Sequence, residues 1–235
     1  MRALTIVHEK DAGPGIFNDV LAASAADADT WLVAEEPEPP APAREYDAIF
    51  SFGGSVHPDQ EQSHPWLKTE KRFLSEALRG GVPLLGVCLG AELIAEVEGT
   101  VTRRMSRPEI GWYGVKLTSA GAADPVIGPI GQPFPALEWH SYEVALPSRA
   151  AALARSANCL QAFRIGDVAW GIQFHAEVTA DDFQHWLDDY ASDEDFVEEG
   201  IEPDAIAVET EHRIAPWHDL GRGICERFLE VASSR

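Results

Sequence analysis

A chain of 235 residues is long enough for one large α/β domain, and 45% hydrophobic with 9% aromatic residues gives it the apolar surface to fold. Its net charge of −21 repels phosphates and anionic lipid, so neither nucleic acid nor a membrane is an expected partner. Three widely spaced cysteines, Cys88, Cys159 and Cys225, form no disulfide framework or CxxC pair; without a signal-like leader or a ~20-residue apolar run, the chain reads as cytoplasmic.

Short apolar runs at Ala3–Val7 and Trp31–Ala34 flank an alanine-rich stretch of helical length, Ile16–Ala28, which is βαβ spacing. The proline-dense Glu35–Glu45 predicts a surface loop leading to a third strand, Asp47–Phe52. Trp66, Phe73, Leu74 and Leu78 predict a helix over Pro65–Arg79, closed by Gly80-Gly81. From Pro83, PLLGVCL followed by GAELIAEVEG reads as strand, sharp turn and helix. Strands are expected at Tyr113–Leu117, Tyr142–Leu146, Gln161–Ile165 and Val168–Phe174. Thr179 is an N-cap for a helix whose apolar face is Phe183, Trp186, Leu187 and Tyr190, and two more helices are expected near Asp204–Arg213 and Trp217–Val231. Asp181–Glu211 carries 13 acidic residues and Gly166–His212 no lysine or arginine, so much of the charge sits on this tail, most simply as a solvated face.

Gly86-Val87-Cys88-Leu89-Gly90 places a cysteine where a buried strand must turn into a helix, the form of a nucleophile elbow. Small neighbours permit the strained turn, and the N–H dipoles of the following helix favour a thiolate. A lone cysteine in an apolar run is more simply a core residue. The second signal is Gly171-Ile172-Gln173-Phe174-His175-Ala176-Glu177, where His175 and Glu177, two apart in extended chain, share a face. A cysteine nucleophile needs a base, and the base needs a carboxylate to hold its tautomer; Cys88, His175 and Glu177 supply the three roles. Phe52-Gly53-Gly54-Ser55 ends the third strand, where the Gly54 N–H can join that of Leu89 around the oxyanion of a tetrahedral intermediate. Acyl transfer is the chemistry these residues suit. His57, His64 and the pair His8-Glu9 are placed to line the same crevice, and their spacing matches no metal signature.

FGGS at 52–55, GVCLGAEL at 86–93, EIGW at 109–112, WHSYEV at 139–144 and QAFR…AWGIQFHAEV at 161–178 together resemble the class I (triad) glutamine amidotransferases, most closely members similar to the amidotransferase domain of GMP synthase. The resemblance covers about residues 3–178. It implies an open mixed, mostly parallel α/β sheet flanked by helices, flavodoxin-like, in which Cys88 attacks a γ-carboxamide to give a γ-glutamyl thioester and His175 and Glu177 complete the triad. It also implies that Gly53, Gly54, Ser141 and Tyr142 hold the substrate, together with the position of Glu92. The family usually has glutamine there, and an ionised glutamate cannot donate a hydrogen bond. Ala176 stands where the family commonly has proline.

The expected organisation is an amidotransferase-like domain, 1–178, with an acidic helical extension, 179–235, packed on it; the roughly 57 residues after Val178 are too few for a synthetase domain. No metal and no organic cofactor are expected. The expected activity is hydrolysis of glutamine or another γ-glutamyl amide, either free-standing or feeding ammonia to a separate synthetase subunit, with a homo-oligomer as a further expected assembly. The competing reading is a non-catalytic member whose acidic C-terminal helices bind a basic partner.

Overall fold

A computed structural model describes residues 1–131, 133–189, 196–197 and 199–235. Among the described residues, nine strands form one mixed sheet in the order β2-β1-β3-β4-β9-β8-β7-β5-β6. Its first five strands are mutually parallel: β2 (Asp27–Leu32), β1 (Arg2–Val7), β3 (Ala48–Ser51), β4 (Leu84–Val87) and β9 (Ala169–Ile172). The remaining pairings are antiparallel and join β8 (Leu160–Ile165), β7 (Ala150–Arg155), β5 (Thr102–Leu117) and β6 (Phe134–Val144). The parallel part has the flavodoxin-like order, whose direction reverses at β1 and β3, so a crevice opens beyond the carboxyl ends of those strands.

Alternation along each parallel strand feeds two apolar layers. Leu4, Ile6, Ile49 and Leu84 pack on Trp31, Leu67, Phe73, Leu93 and Ile94, the side of α2 (Trp66–Gly80) and α3 (Leu89–Val97). Ala3, Ala48, Phe50 and Leu85 face the other way, toward Phe17 and Val20 of α1 (Phe17–Ala23) and toward Trp217 and Phe228 of a long C-terminal helix. A short α4 (Ser119–Ala122) follows β5, and α5 (Ala180–Asp188) is closed at its start by a capping box between Thr179 and Asp182, as the threonine predicts. Tyr190, expected on the apolar face of α5, lies outside the described residues.

Three expectations are corrected. The first helix ends at Ala23, because Ala25 takes a positive φ of 52°, and β2 begins at Asp27 rather than Trp31. As an edge strand β2 exposes its polar half, which apolar patterning does not register. The antiparallel strands start much earlier than their apolar ends suggest: β5 runs from Thr102 and β6 from Phe134. The two C-terminal helices are one, α6 (Pro203–Ser233), with Pro216 inside it. An internal proline costs about 3 kcal/mol. Packing carries the helix through: Trp217 is buried and its Nε1–H donates to the His175 carbonyl at 2.8 Å, and Gly221 lies so close that a Cβ there would sit 2.0 Å from the Ala176 oxygen. No helix among the described residues is long and apolar enough to cross a membrane.

Candidate active site

The carboxyl ends of the parallel strands bring Gly54, Cys88, Leu89, Glu92 and His175 to one cavity of about 520 Å³, which Ser141 and Tyr142 of the antiparallel β6 also line. Cys88, between β4 and α3, takes φ 50° and ψ −111°, a region that a non-glycine residue occupies only when its surroundings force it. The forcing is visible on both sides. A Cβ on Gly86 would fall 2.6 Å from the Ala91 nitrogen, and one on Gly90 2.1 Å from the Ser51 oxygen, so strand and helix touch backbone to backbone. The Cys88 N–H is pinned to the Ile172 carbonyl at 2.8 Å, which ties the elbow to β9. Because α3 begins at Leu89, that residue's N–H has no acceptor within the helix.

Beyond β9 the chain bends toward the same point. His175 Nδ1 lies 2.8 Å from Glu177 Oε1, both side chains are buried, and the ring is within hydrogen-bonding reach of the Cys88 thiol. Burial disfavours the imidazolium, yet the Glu177 carboxylate and the Cys88 sulfur outweigh it and hold His175 well above the usual histidine range. The loop is gripped from behind as well: the Glu177 carbonyl accepts from Ile16 N at 2.8 Å and the His175 carbonyl from Trp217. Trp186 of α5 stands edge-on to the His175 ring, 5.7 Å from Trp139 and 4.9 Å from His175 between centroids.

The glycine loop divides its labour. Gly54 lines the cavity beside Leu89, whereas Gly53 is buried beneath it and is not part of the wall. A Cβ on Gly53 would lie 2.9 Å from His175 Cε1 and 3.6 Å from Cys88 Cβ, so its bareness lets the ring close on the cysteine. Of the histidines expected near the crevice, His57 lines the cavity and stacks on Tyr142 at 4.3 Å, and Glu9 lines it too. His8 is buried under the glycine loop, and His64 packs on Trp66 instead.

The antiparallel half supplies the opposite wall. Register between β5 and β6 shifts between Arg104, opposite Tyr142, and Glu109, opposite His140, so residues 105–108 bulge beside the cavity. There His140 holds its own strand: Nδ1 lies 2.8 Å from the Tyr142 carbonyl, and Nε2 lies 3.2 Å from Glu109 and 3.4 Å from Glu138. Burial opposes the charge on His140, but Glu109 and Glu138 push it up to about 10. Burial raises Glu138 itself to about 7; it pushes Glu109 the same way, but His140 holds that carboxyl low. Glu109, His140 and Cys159 form the one group of potential metal ligands among the described residues, with ligand atoms within 4.8 Å of one another. Glu109 already accepts from Asn158 and Gln161, each at 2.7 Å, and burial pushes the Cys159 thiol strongly up, so this cluster suits protons better than a cation.

Glu92, in the first turn of α3 after the elbow, is 3% exposed at the cavity floor, where Gln173 donates to it at 3.1 Å. Burial, only partly offset by Gln173, raises it to about 7. Near neutral pH it is thus a donor in part of the molecules and an acceptor in the rest. Arg104, Trp139, His140 and Trp186 also line the cavity; Arg104 carries no sequence signal, Trp139 and His140 fall in WHSYEV, and Trp186 reads in the sequence only as part of an apolar helix face.

A strained cysteine elbow at the carboxyl edge of a flavodoxin-like sheet, facing a histidine–glutamate pair, defines a glutamine amidotransferase-like protein. The chain belongs to the class I glutamine amidotransferase family, whose model matches residues 22–192. It is 30% identical over 187 residues to the glutamine amidotransferase-like protein YfeJ of Salmonella typhimurium, covering 77% of each chain. It is also 30% identical over 197 residues to a γ-glutamyl-L-1-hydroxyisopropylamide hydrolase of a Pseudomonas species, covering 80% of this chain and 65% of the relative. With one subunit of the glutamine-hydrolyzing GMP synthase of Saccharolobus solfataricus it shares 40% identity over 100 residues, 41% of this chain and about half (52%) of that one. Among solved structures, a glutamine amidotransferase from Thermotoga maritima superposes with a TM-score of 0.88 at 28% identity over 98% of both chains.

Proposed function

We propose that the protein is a cysteine-nucleophile amidase that hydrolyses the γ-amide of glutamine or of a γ-glutamyl amide. The observation that carries this reading is the meeting of Cys88, on a strained elbow, with the buried His175–Glu177 pair at the floor of one cavity. In this mechanism the thiol proton already resides on His175, whose raised basicity favours the imidazolium, and Cys88 Sγ attacks the γ-carbonyl carbon as the carbonyl oxygen becomes an oxyanion met by the N–H groups of Gly54 and Leu89. His175 then gives its proton to the leaving nitrogen as the C–N bond breaks, leaving a γ-glutamyl thioester and a free amine or ammonia. Water, deprotonated by His175, adds to the thioester and releases glutamate and the thiol. Glu177 holds the imidazole tautomer and stabilises its charge throughout.

Glu92, Ser141 and Tyr142 take the glutamyl portion, with Gly53 acting from beneath. The leaving nitrogen must lie beside His175, and there it meets the Trp186 ring, a surface suited to the carbon skeleton of an organic amine. That contact favours a free-standing γ-glutamyl amide hydrolase over a supplier of ammonia to a separate synthetase subunit. Residues 1–178 carry the catalytic residues, and 179–235 add Trp186 to the cavity wall and brace the His175 loop through Trp217 and Gly221. The test is glutamate release from glutamine, γ-glutamyl amides of small amines and γ-glutamyl peptides. Turnover is expected on at least one of these and is lost in Cys88→Ala; equal turnover in that variant removes the covalent mechanism.

A further inference from the structure

His8 and Glu70 form a buried pair for which amide hydrolysis by the triad has no direct use. Both side chains have no solvent exposure, and His8 Nε2 lies 2.8 Å from Glu70 Oε2. Glu70 is itself fixed, since its other oxygen accepts from Ser51 Oγ at 2.7 Å. The remaining ring nitrogen, His8 Nδ1, lies 2.9 Å from the Gly53 carbonyl oxygen, and because a carbonyl only accepts, Nδ1 must carry the proton.

That bond reaches the reaction through one peptide plane. The Gly53 C=O and the Gly54 N–H belong to the same peptide unit, and in a trans peptide they point in opposite directions. A carbonyl held toward His8, under the loop, therefore aims the Gly54 N–H away from it, toward the cavity that Gly54 lines beside Leu89. Between two glycines this peptide rotates more freely than one flanked by side chains, and the bond from His8 fixes its direction. The neighbouring Phe52 carbonyl is taken by Gly90 N at 3.0 Å, which anchors the strand end but leaves the next peptide to His8.

We propose that His8, oriented by Glu70 and Ser51, is a positioning residue that sets the Gly53–Gly54 peptide so that the Gly54 N–H is ready for the oxyanion. The inference rests on the amidase reading. An oxyanion exists only around the transition state, so the effect belongs in kcat and not in KM.

The experiment compares two replacements that abandon Glu70 equally. His8→Asn places an amide N–H near the Nδ1 position and can still donate to the Gly53 carbonyl; His8→Leu cannot. His8→Leu is expected to lower kcat on the best γ-glutamyl substrate by about tenfold to a hundredfold with KM changed less than about twofold, and His8→Asn to recover most of that loss. A γ-glutamyl aldehyde, which forms a tetrahedral adduct on Cys88, should bind His8→Leu more weakly by the same factor. Alkylation of Cys88 by iodoacetamide, which passes through no oxyanion, should be unchanged. Equal loss in both variants, loss seen in KM, or slowed alkylation overturns the proposal. Should His8→Leu not fold, Glu70→Gln, which keeps the shape of the pair, must lower kcat severalfold at constant KM, and an unchanged kcat overturns it. Wild-type protein that turns over no γ-glutamyl amide refutes the amidase reading itself, a result distinct from all of these.

Discussion

The two halves of the sheet contribute differently to the cavity. The parallel half brings Cys88, His175 and the glycine loop to its strand ends, where backbone strain and short contacts fix them. The antiparallel half contributes Ser141, Tyr142 and the bulge of β5, where the ladder is broken. Each half nevertheless contains a buried histidine, held by glutamate, that grips one backbone carbonyl: His8 on Gly53 and His140 on Tyr142. Their consequences differ because the two carbonyls have different neighbours. Next to Gly53 stands a proposed oxyanion donor, whereas Tyr142 belongs to the cavity wall proposed to receive the ground-state substrate. The proposed function thus puts the chemistry in one half and, Glu92 aside, recognition in the other, and kinetic constants can separate them.

The largest effect should come from the parallel half. Glu177→Gln, which leaves shape intact but removes the charge that steadies His175, is expected to reduce kcat by about 10²–10⁴-fold with little change in KM. In the antiparallel half, His140→Leu should instead raise KM by about tenfold and leave kcat within a few fold, since the bond lost is a charged one to the recognition wall. A fall in kcat as large as that of Glu177→Gln would erase the distinction between the halves. Glu92 sharpens it at the boundary. With the carboxyl raised to about 7, its ionised form can meet the substrate ammonium, so KM should fall as pH rises through about 7 in the wild type and stay flat in Glu92→Gln. The same shift has a stability sign. Between its unfolded value of 4.5 and about 7 the folded protein binds the Glu92 proton more tightly than the unfolded chain, so this contribution to stability declines as pH rises, and Glu92→Gln removes that slope in thermal melts. The smallest effect is expected from Trp217→Phe, which loses one hydrogen bond to the His175 carbonyl: about 1 kcal/mol of stability and a few fold in kcat.

The same division governs what the sequence reveals. The elbow is legible because its constraint is local: Gly86 and Gly90 must be bare for strand and helix to touch, and the residue between them is displayed. His175 and Glu177 are legible for a similar reason, being two apart on one strand end. Thr179 announces its helix through a capping box confined to four residues. The partners that hold the site together are not legible, because Glu70 reaches His8 across 62 positions and Gln161 reaches Glu109 across 52, with no spacing that a single chain displays. Ala150–Arg155 is too rich in alanine to show a strand period. Pro216 gives a true local signal that α6 should break, and the contacts of Trp217 and Gly221 with the His175 loop override it.

If the chemistry resides at the elbow, Cys88 alone among the three cysteines attacks a γ-glutamyl carbonyl. Incubation with a glutamine-like electrophile, followed by peptide mass mapping and assay of the same samples, puts this to the test. Stoichiometric modification of Cys88 is expected, with none of buried Cys159 or Cys225, protection by substrate, and loss of hydrolysis in step with labelling. Hydrolysis that persists once Cys88 is fully modified would rule out Cys88 as the nucleophile.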